Sequence, residues 1–301
     1  MKLAAIDIGS NAVRLLFIHV YETESGYSYV KDALYRVPLR LGEDVFSKGK
    51  LSKDKIKDFE NTMSAFKKLM KVYKPITYMA CATSAMRDAS NGPEVLKKIF
   101  KKTGLKIEII TGQQEADILF SNHVEKLQPD PKQNYLFIDI GGGSTELILV
   151  SKGEMIDRKS FNIGTLRLRD NHVEAKIWKE FDNWLNHFKT KYPDIVAVGT
   201  GGNINTMQKY FSKSKKAEMP CSVIQETYKT LKDLSVQERI LKYSLKPDRA
   251  DVIVPAAEIL LRVTNLLEVQ TILVPKVGLA DGMIHMLFEK TTKNLPLSDK
   301  S

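Results

Sequence analysis

Two short stretches hold residues whose types and spacing suit phosphate chemistry. Ala5-Ile6-Asp7-Ile8-Gly9-Ser10-Asn11-Ala12-Val13-Arg14-Leu15-Leu16-Phe17-Ile18 aligns without a gap onto Phe137-Ile138-Asp139-Ile140-Gly141-Gly142-Gly143-Ser144-Thr145-Glu146-Leu147-Ile148-Leu149-Val150, with Asp7 falling on Asp139. In each copy an apolar run ends in Asp, small residues follow, and a second apolar run begins. Glycine and serine let the main chain approach closely, so a phosphate can be cradled by backbone amides around Ser10, Asn11, Gly141, Gly142, Gly143, Ser144 and Thr145. An Asp at a strand end can hold a hydrated Mg²⁺, or another divalent cation, that bridges phosphate oxygens. A single Asp-x-Gly is ordinary hairpin punctuation. Two copies led by Ile-Asp-Ile-Gly make a duplicated phosphate-binding turn the better reading, and two such hairpins facing each other would grip a phosphate chain from both sides. Arg14 and Glu146 occupy the same place in the two copies. A guanidinium fork there suits phosphate oxygens; a carboxylate there, with Asp139 and Asp7, suits Mg²⁺ or a metal-bound water.

These residues need strands and helices to hold them. Each copy reads as strand, turn, strand, the first over Leu3 to Ile8 and Val13 to Val20. Self-similarity at this long spacing indicates a duplicated domain rather than a solenoid of short repeats. Ile56, Phe59, Met63, Phe66, Met70 and Tyr73 recur at helical spacing behind Ser52, as do Trp178, Phe181, Leu185 and Phe188; such stripes are core faces. Segments 226–243 and 250–268 also read as helical, the second with Ile253, Ala257, Leu260, Leu261 and Leu267 inward. Lys106 to Ile110 is strand-like, and a helix starts near Glu115, where the bland role of that carboxylate is a first-turn glutamate favoured by the helix dipole. Strands alternating with helices imply an α/β architecture with two related sheets. At 301 residues the chain exceeds what one core usually organises, roughly 250 to 300 residues, so two domains are expected.

Composition narrows the class. A hydrophobic fraction of 43% with 27% charged residues is that of a soluble globular protein. The sequence start has no unbroken apolar signal stretch, and no later run is long enough for a membrane span, so a cytoplasmic protein is expected. Cys81 and Cys221 read as reduced thiols, and histidines at 19, 123, 172, 187 and 285 match no zinc spacing. Any metal should be a hard, oxygen-liganded ion. The net charge of +10, with clusters at Lys97-Lys98, Lys101-Lys102 and Lys213 to Lys216, raises the local concentration of polyanions. Nucleic acid is disfavoured, because no zinc finger, RNA-binding signature or basic stripe with interleaved aromatics is present.

Further segments make the sequence recognisable. The two turns and Gly199-Thr200-Gly201-Gly202 resemble the first-phosphate, second-phosphate and nucleoside-side motifs of the acetate and sugar kinase, heat-shock chaperone and actin superfamily. Ala82-Thr83-Ser84-Ala85-Met86-Arg87-Asp88-Ala89, Ile109-Ile110-Thr111-Gly112-Gln113-Gln114-Glu115-Ala116, Arg249-Ala250-Asp251-Val252-Ile253-Val254-Pro255 and Val277-Gly278-Leu279-Ala280-Asp281-Gly282 resemble the exopolyphosphatase and guanosine pentaphosphate phosphohydrolase family. The matches run in the family's order from Ala4 to about Gly282.

The resemblance implies two actin-like (ribonuclease H-like) domains with an interdomain cleft, one over 1–124 with a final helix at about 284–301 packing back on it, the other over 125–283. It implies release of terminal orthophosphate from inorganic polyphosphate, with guanosine pentaphosphate or tetraphosphate as the alternative substrate. Glu115 takes the place of the family's water-activating carboxylate, with Glu146 as the second catalytic carboxylate, and Gln114 replaces the family's preceding acid. Arg87, Arg249, Gly201 and Gly202 fall in motifs expected to meet phosphate, and Arg40 is a secondary candidate. A homodimer is implied as well. Longer family members carry a further C-terminal helical module; a chain ending at Ser301 is expected to lack room for it and so to be weakly processive, favouring short polyphosphate. Two other classes fit the same fold. A kinase would need an acceptor-binding insertion, of which there is no clear sign, and a non-catalytic alarmone- or polyphosphate-binding regulator would not need both Glu115 and Glu146.

Overall fold

The computed structural model describes residues 1–24, 26–127, 130–212 and 217–293. They form two compact units, one of Met1–His123 with the described residues from Leu279 onward, the other within Val124–Gly278. The first runs β1 (Lys2–Ile8), β2 (Val13–Thr23), β3 (Gly26–Val37), α1 (Leu41–Lys48), α2 (Lys53–Tyr73), β4 (Thr77–Ala82), α3 (Ser84–Asp88), α4 (Gly92–Thr103), β5 (Glu108–Ile109) and α5 (Gly112–Leu127). The second runs β6 (Asn134–Ile140), β7 (Thr145–Ser151), β8 (Glu154–Phe161), α6 (Thr165–Arg169), α7 (Ala175–Lys191), β9 (Ile195–Thr200), α8 (Gly202–Phe211), β10 (Glu218–Pro220), α9 (Cys221–Leu231), α10 (Val236–Tyr243), α11 (Pro247–Ala250), α12 (Ile253–Leu267) and β11 (Thr271–Leu273). The chain then returns to the first unit as α13 (Leu279–Lys293).

Strand order carries the duplication into three dimensions. The first sheet is ordered β3-β2-β1-β4-β5, and the second β10-β11-β9-β6-β7-β8. Taken from β8, the second repeats the first, with β10 added at its far edge. In both, three antiparallel strands continue into strands that pair parallel. This is the α/β architecture with two related sheets expected from the repeat.

The reason β1 reads as an apolar run, rather than an alternating one, is that both of its faces are covered. Leu3, Ala4, Ala5 and Ile6 are all fully buried. One face joins the core that contains Phe59, Met63 and Phe66 of α2 and Val95 and Ile99 of α4. Against β1 and β2 also lies α13, where Gly282 meets the Ile118 carbonyl of α5 with no space for a Cβ. The second unit has its own core, in which Leu136, Ile138 and Leu147 meet Phe181, Leu185, Ile253 and Leu260.

Several elements differ in extent from the sequence reading. Strand β2 continues to Thr23, and β3 was given no sequence signal because most of its side chains are exposed. The helical segment 226–243 is two helices: Ser235 Oγ accepts from the Glu238 amide at 3.2 Å while Glu238 Oε2 accepts from the Ser235 amide at 2.9 Å, a reciprocal cap that starts α10 afresh. Strand β5 is only two residues long. Helix α13 begins at Leu279, earlier than expected, and the 294–301 tail and the Lys213 to Lys216 cluster lie outside the described residues. No described helix is long and apolar enough to cross a membrane.

Candidate active site

Strand pairing converts the repeat into two rows of side chains. On the first sheet Asp7 lies directly opposite Arg14, which lies opposite Arg36. On the second, Asp139 lies opposite Glu146, which lies opposite Ser160. Directly opposed residues project from the same face of a sheet. In the first row Arg14 Nη1 donates to Asp7 Oδ2 at 2.6 Å, and the carboxylate is almost wholly buried. In the second, Ser160 Oγ donates to Glu146 Oε1 at 2.7 Å and Thr200 Oγ1 donates to Asp139 Oδ1 at 2.6 Å. The duplicated rows have therefore diverged in sign. Two guanidinium groups stand in the first with one carboxylate, which Arg14 alone is seen to bind, an excess of positive charge that favours an anion; two carboxylates backed by hydroxyls stand in the second, which favours a hard cation.

Asp7, expected among metal ligands, is thus the partner of Arg14. Its neighbour on β4 is Cys81, whose thiol is pushed up to about 12, mostly by burial and further by the nearby Glu108 and Asp7 carboxylates. A thiol held so far from ionisation is no nucleophile at neutral pH.

Both turns are tied down through their carbonyls. In the first, the Gly9 amide donates to Ala12 O at 3.1 Å, Arg40 N to Asn11 O at 3.0 Å and Gly42 N to Ser10 O at 2.9 Å. Ser10 Oγ accepts from the Ala85 amide at 3.2 Å, which fixes the turn to α3. In the second, Gly141 N donates to Ser144 O at 2.9 Å, and the Gly141 and Gly142 carbonyls accept from Thr165 and Leu166 at the start of α6, at 3.0 and 2.8 Å. The amides of Gly142, Gly143 and Ser144 donate to no acceptor among the described residues. Unbonded amides of this kind are what a phosphate cradle would use. The Thr145 hydroxyl is directed elsewhere: it is buried and donates to Ile163 O at 2.5 Å.

Glu115 stands in the first turn of α5 and is 7% exposed. Thr111 and Gln114 cap that helix reciprocally, the Gln114 amide donating to Thr111 Oγ1 at 3.2 Å and the Thr111 amide to Gln114 Oε1 at 2.8 Å. Gln114, the departure from the family pattern, is therefore the cap that fixes where α5, and with it Glu115, begins. Arg87 donates to Ile110 O at 2.7 Å and lies 3.6 Å from Glu115 Oε2. This arginine, expected to meet phosphate, forms an ion pair with Glu115.

In the second unit, Gly201 has a φ of +103° and sits 3.3 Å, measured from where a Cβ would lie, from Asp139 Oδ1. Only glycine suits that backbone. The guanidinium of Arg249 lies over Gly202, in the space a Cβ would take, and donates to Asn203 Oδ1 at 3.2 Å. Gly201, Gly202 and Arg249 thus come together, whereas Arg40 ion-pairs with Glu43 at 2.8 Å beside the first turn.

For a divalent cation the second row offers Asp139 and Glu146, two hard oxygen donors on neighbouring strands. Mg²⁺ is typically held by one or two carboxylates with waters and substrate phosphates completing its shell, so the pair fits. Among the described residues no group of three or more His, Cys, Asp or Glu is gathered for a metal. Arg36, Ser160 and Thr200, the last quoted only within its glycine-rich motif, and Asn203 were given no site role by sequence reading. The register between strands, which a single chain does not print, is what brings the first three into the rows.

Residues 33–291 match the model of the Ppx/GppA phosphatase family. The bifunctional 3-dehydroquinate synthase/phosphatase of Fusobacterium nucleatum is 31% identical over 85% of this chain and 42% of its own length. Exopolyphosphatase 1 of Mycobacterium bovis is 33% identical over 49% of this chain and 42% of its own. The chain therefore spans well under two thirds of the length of these curated relatives. Among solved structures, the Ppx/GppA family member of Aquifex aeolicus superposes with a TM-score of 0.76 at 26% identity, covering 98% of this chain and 99% of that one. With the family model covering most of its length, the chain belongs to the Ppx/GppA phosphatase family.

Proposed function

We propose that this protein releases terminal orthophosphate from inorganic polyphosphate, with Glu115 taking a proton from the attacking water. The observation that carries this reading is the buried Glu115 carboxylate, fixed by the α5 cap and faced by Arg87 at 3.6 Å. In the step proposed, the water oxygen bonds to the terminal phosphorus as its proton passes to Glu115. The anhydride P–O bond breaks, and the shortened chain leaves with the electron pair. Little covalent work falls to the protein, so positioning and charge stabilisation dominate. Arg14, with Arg36 beside it, meets phosphate oxygens; the open amides of Gly142, Gly143 and Ser144 cradle another phosphate. Asp139 and Glu146 would hold Mg²⁺, which when bound neutralises charge on phosphate oxygens and orders water next to them.

Guanosine pentaphosphate is the second reading, favoured by Arg249 over Gly202, a place where a nucleotide's own groups could be met. Initial rates on short polyphosphate, long polyphosphate, guanosine pentaphosphate and ATP, each with Mg²⁺, decide between them. Orthophosphate release fastest from polyphosphate supports the proposal; turnover of guanosine pentaphosphate alone replaces it, and binding of either without turnover makes the protein a regulator.

A further inference from the structure

One five-residue helix claims the carbonyls of all three glycines in the second turn. Thr165 N and Leu166 N donate to Gly141 O and Gly142 O at 3.0 and 2.8 Å, and Arg167 Nε donates to Gly143 O at 2.8 Å. Gly164, just ahead of α6, packs on the Gly142 and Gly143 backbone with no room for a Cβ. At the other end of α6, Arg169 grips Asp170 through Nε and Nη2 at 2.7 and 2.8 Å and reaches Asp251 through Nη1 at 2.5 Å. Asp251 directly follows α11, the short helix that presents Arg249. The Ala250 carbonyl at the end of α11 accepts from the buried Arg239 at 2.9 Å. Helix α6 thus joins the turn to the segment that carries Arg249.

We infer that Arg167 and Arg169 are positioning residues, the first fixing the direction of the turn's amides and the second fixing Arg249 through Asp251. The peptide plane supplies the reason. Each plane is rigid and carries its C=O and N–H on opposite sides, so holding the carbonyls of Gly141, Gly142 and Gly143 on α6 directs the amides of Gly142, Gly143 and Ser144 the other way. Glycine alone would not do this, since its φ and ψ range widely and a plane in such a run can flip. The inference rests on the phosphate-binding reading of this turn.

The test compares Arg167→Ala, Arg167→Lys and Arg169→Ala with Arg262→Ala, which removes a two-pronged pair from α12 to Asp182 on α7. Two readouts are taken: amide hydrogen exchange at Thr165 and Leu166, and kcat/KM on short polyphosphate. Arg167→Ala should speed exchange at both amides and lower kcat/KM by about tenfold or more, the scale of a mis-set oxyanion donor, while its Tm moves no further than that of Arg262→Ala. Lysine keeps the charge but has no donor where Nε lies, so it should not restore activity, whereas added guanidinium should partly restore Arg167→Ala and not Arg262→Ala. Arg169→Ala should lose less alone, and its effect should not multiply with that of Arg167→Ala. Unchanged exchange in Arg167→Ala, or kcat/KM within about twofold of wild type, overturns the inference. Should the wild type hydrolyse no polyphosphate, the function reading fails on that result, and the exchange measurement still decides the role of Arg167.

Discussion

Gly282→Ala is a one-carbon change on α13 that should reach Glu115. A Cβ at this position would overlap the Ile118 carbonyl oxygen and lie 2.9 Å from its carbon and 3.0 Å from Cγ2, where ordinary contacts begin at 3.4 Å. The obstacle is the backbone of α5, which cannot swing aside as a side chain would, so α13 and α5 must part by roughly 1 Å. Overpacking of this kind costs roughly 1–3 kcal/mol, and alanine returns about 1 kcal/mol of helix propensity over glycine. Because the obstacle is backbone, the upper part of that range applies and the net loss should be about 1–2 kcal/mol. In a domain of roughly 150 residues that lowers Tm by about 2–8 °C. Glu115 lies one turn before Ile118 on the same helix, so the shift displaces the proposed base, and a misplacement near 1 Å can cost up to about a hundredfold in rate. Thermal unfolding and kcat are measured beside Gly278→Ala, where an added Cβ meets nothing within 4 Å. If Gly282→Ala matched that control in both Tm and kcat, close packing of α13 would not be what holds α5 in place.

Three further outcomes follow from the same geometry. Glu115→Gln should lower kcat by about a hundredfold or more with KM little changed; steady-state kinetics retaining wild-type turnover would move the base to Glu146. Arg14→Ala should raise KM more than it lowers kcat, and wild-type KM should climb with ionic strength; it also leaves the buried Asp7 without its 2.6 Å partner, a loss of about 1–3 kcal/mol, below that of a fully buried pair. Asp44 is subject to burial, which raises its pKa, yet hydrogen bonds from Lys48 and Ser52 outweigh it and hold the carboxyl below its ordinary value. A depressed carboxylate stabilises the fold above its unfolded pKa and loses that contribution as pH falls through its folded value. Asp44→Asn should therefore cost about 1–2 kcal/mol at pH 7 and progressively less below about pH 4, and equal urea stabilities for variant and wild type at pH 7 would contradict it.

The sequence by itself determined the parts that depend on neighbours along the chain. The gapless match of Asp7 onto Asp139 carried the duplication, and the sheets repeat one another because each copy holds a full apolar strand, turn and strand. Helices α2 and α7 were legible since their apolar residues fall at the helical period behind a cap or a turn. Gln114 also had its explanation in plain view: Thr111-Gly112-Gln113-Gln114 is a capping pattern, and only comparison with a glutamate expected there made it look like a loss.

What tertiary structure decided is which charges meet. Arg36 enters the first row only through the pairing of β2 with β3, and most of β3 is too exposed to leave a periodic trace. The same mirrored position became an arginine bound to Asp7 in one unit and a glutamate beside Asp139 in the other, so equal backbones came to favour ions of opposite sign. Arg87, Arg249 and Asp251 lie in motifs, but their partners Glu115, Gly202 with Asn203, and Arg169 are 28 to 82 residues away along the chain. Charge contacts across such distances depend on strand register and helix docking, and those are fixed by packing of the apolar faces rather than by the charged residues themselves.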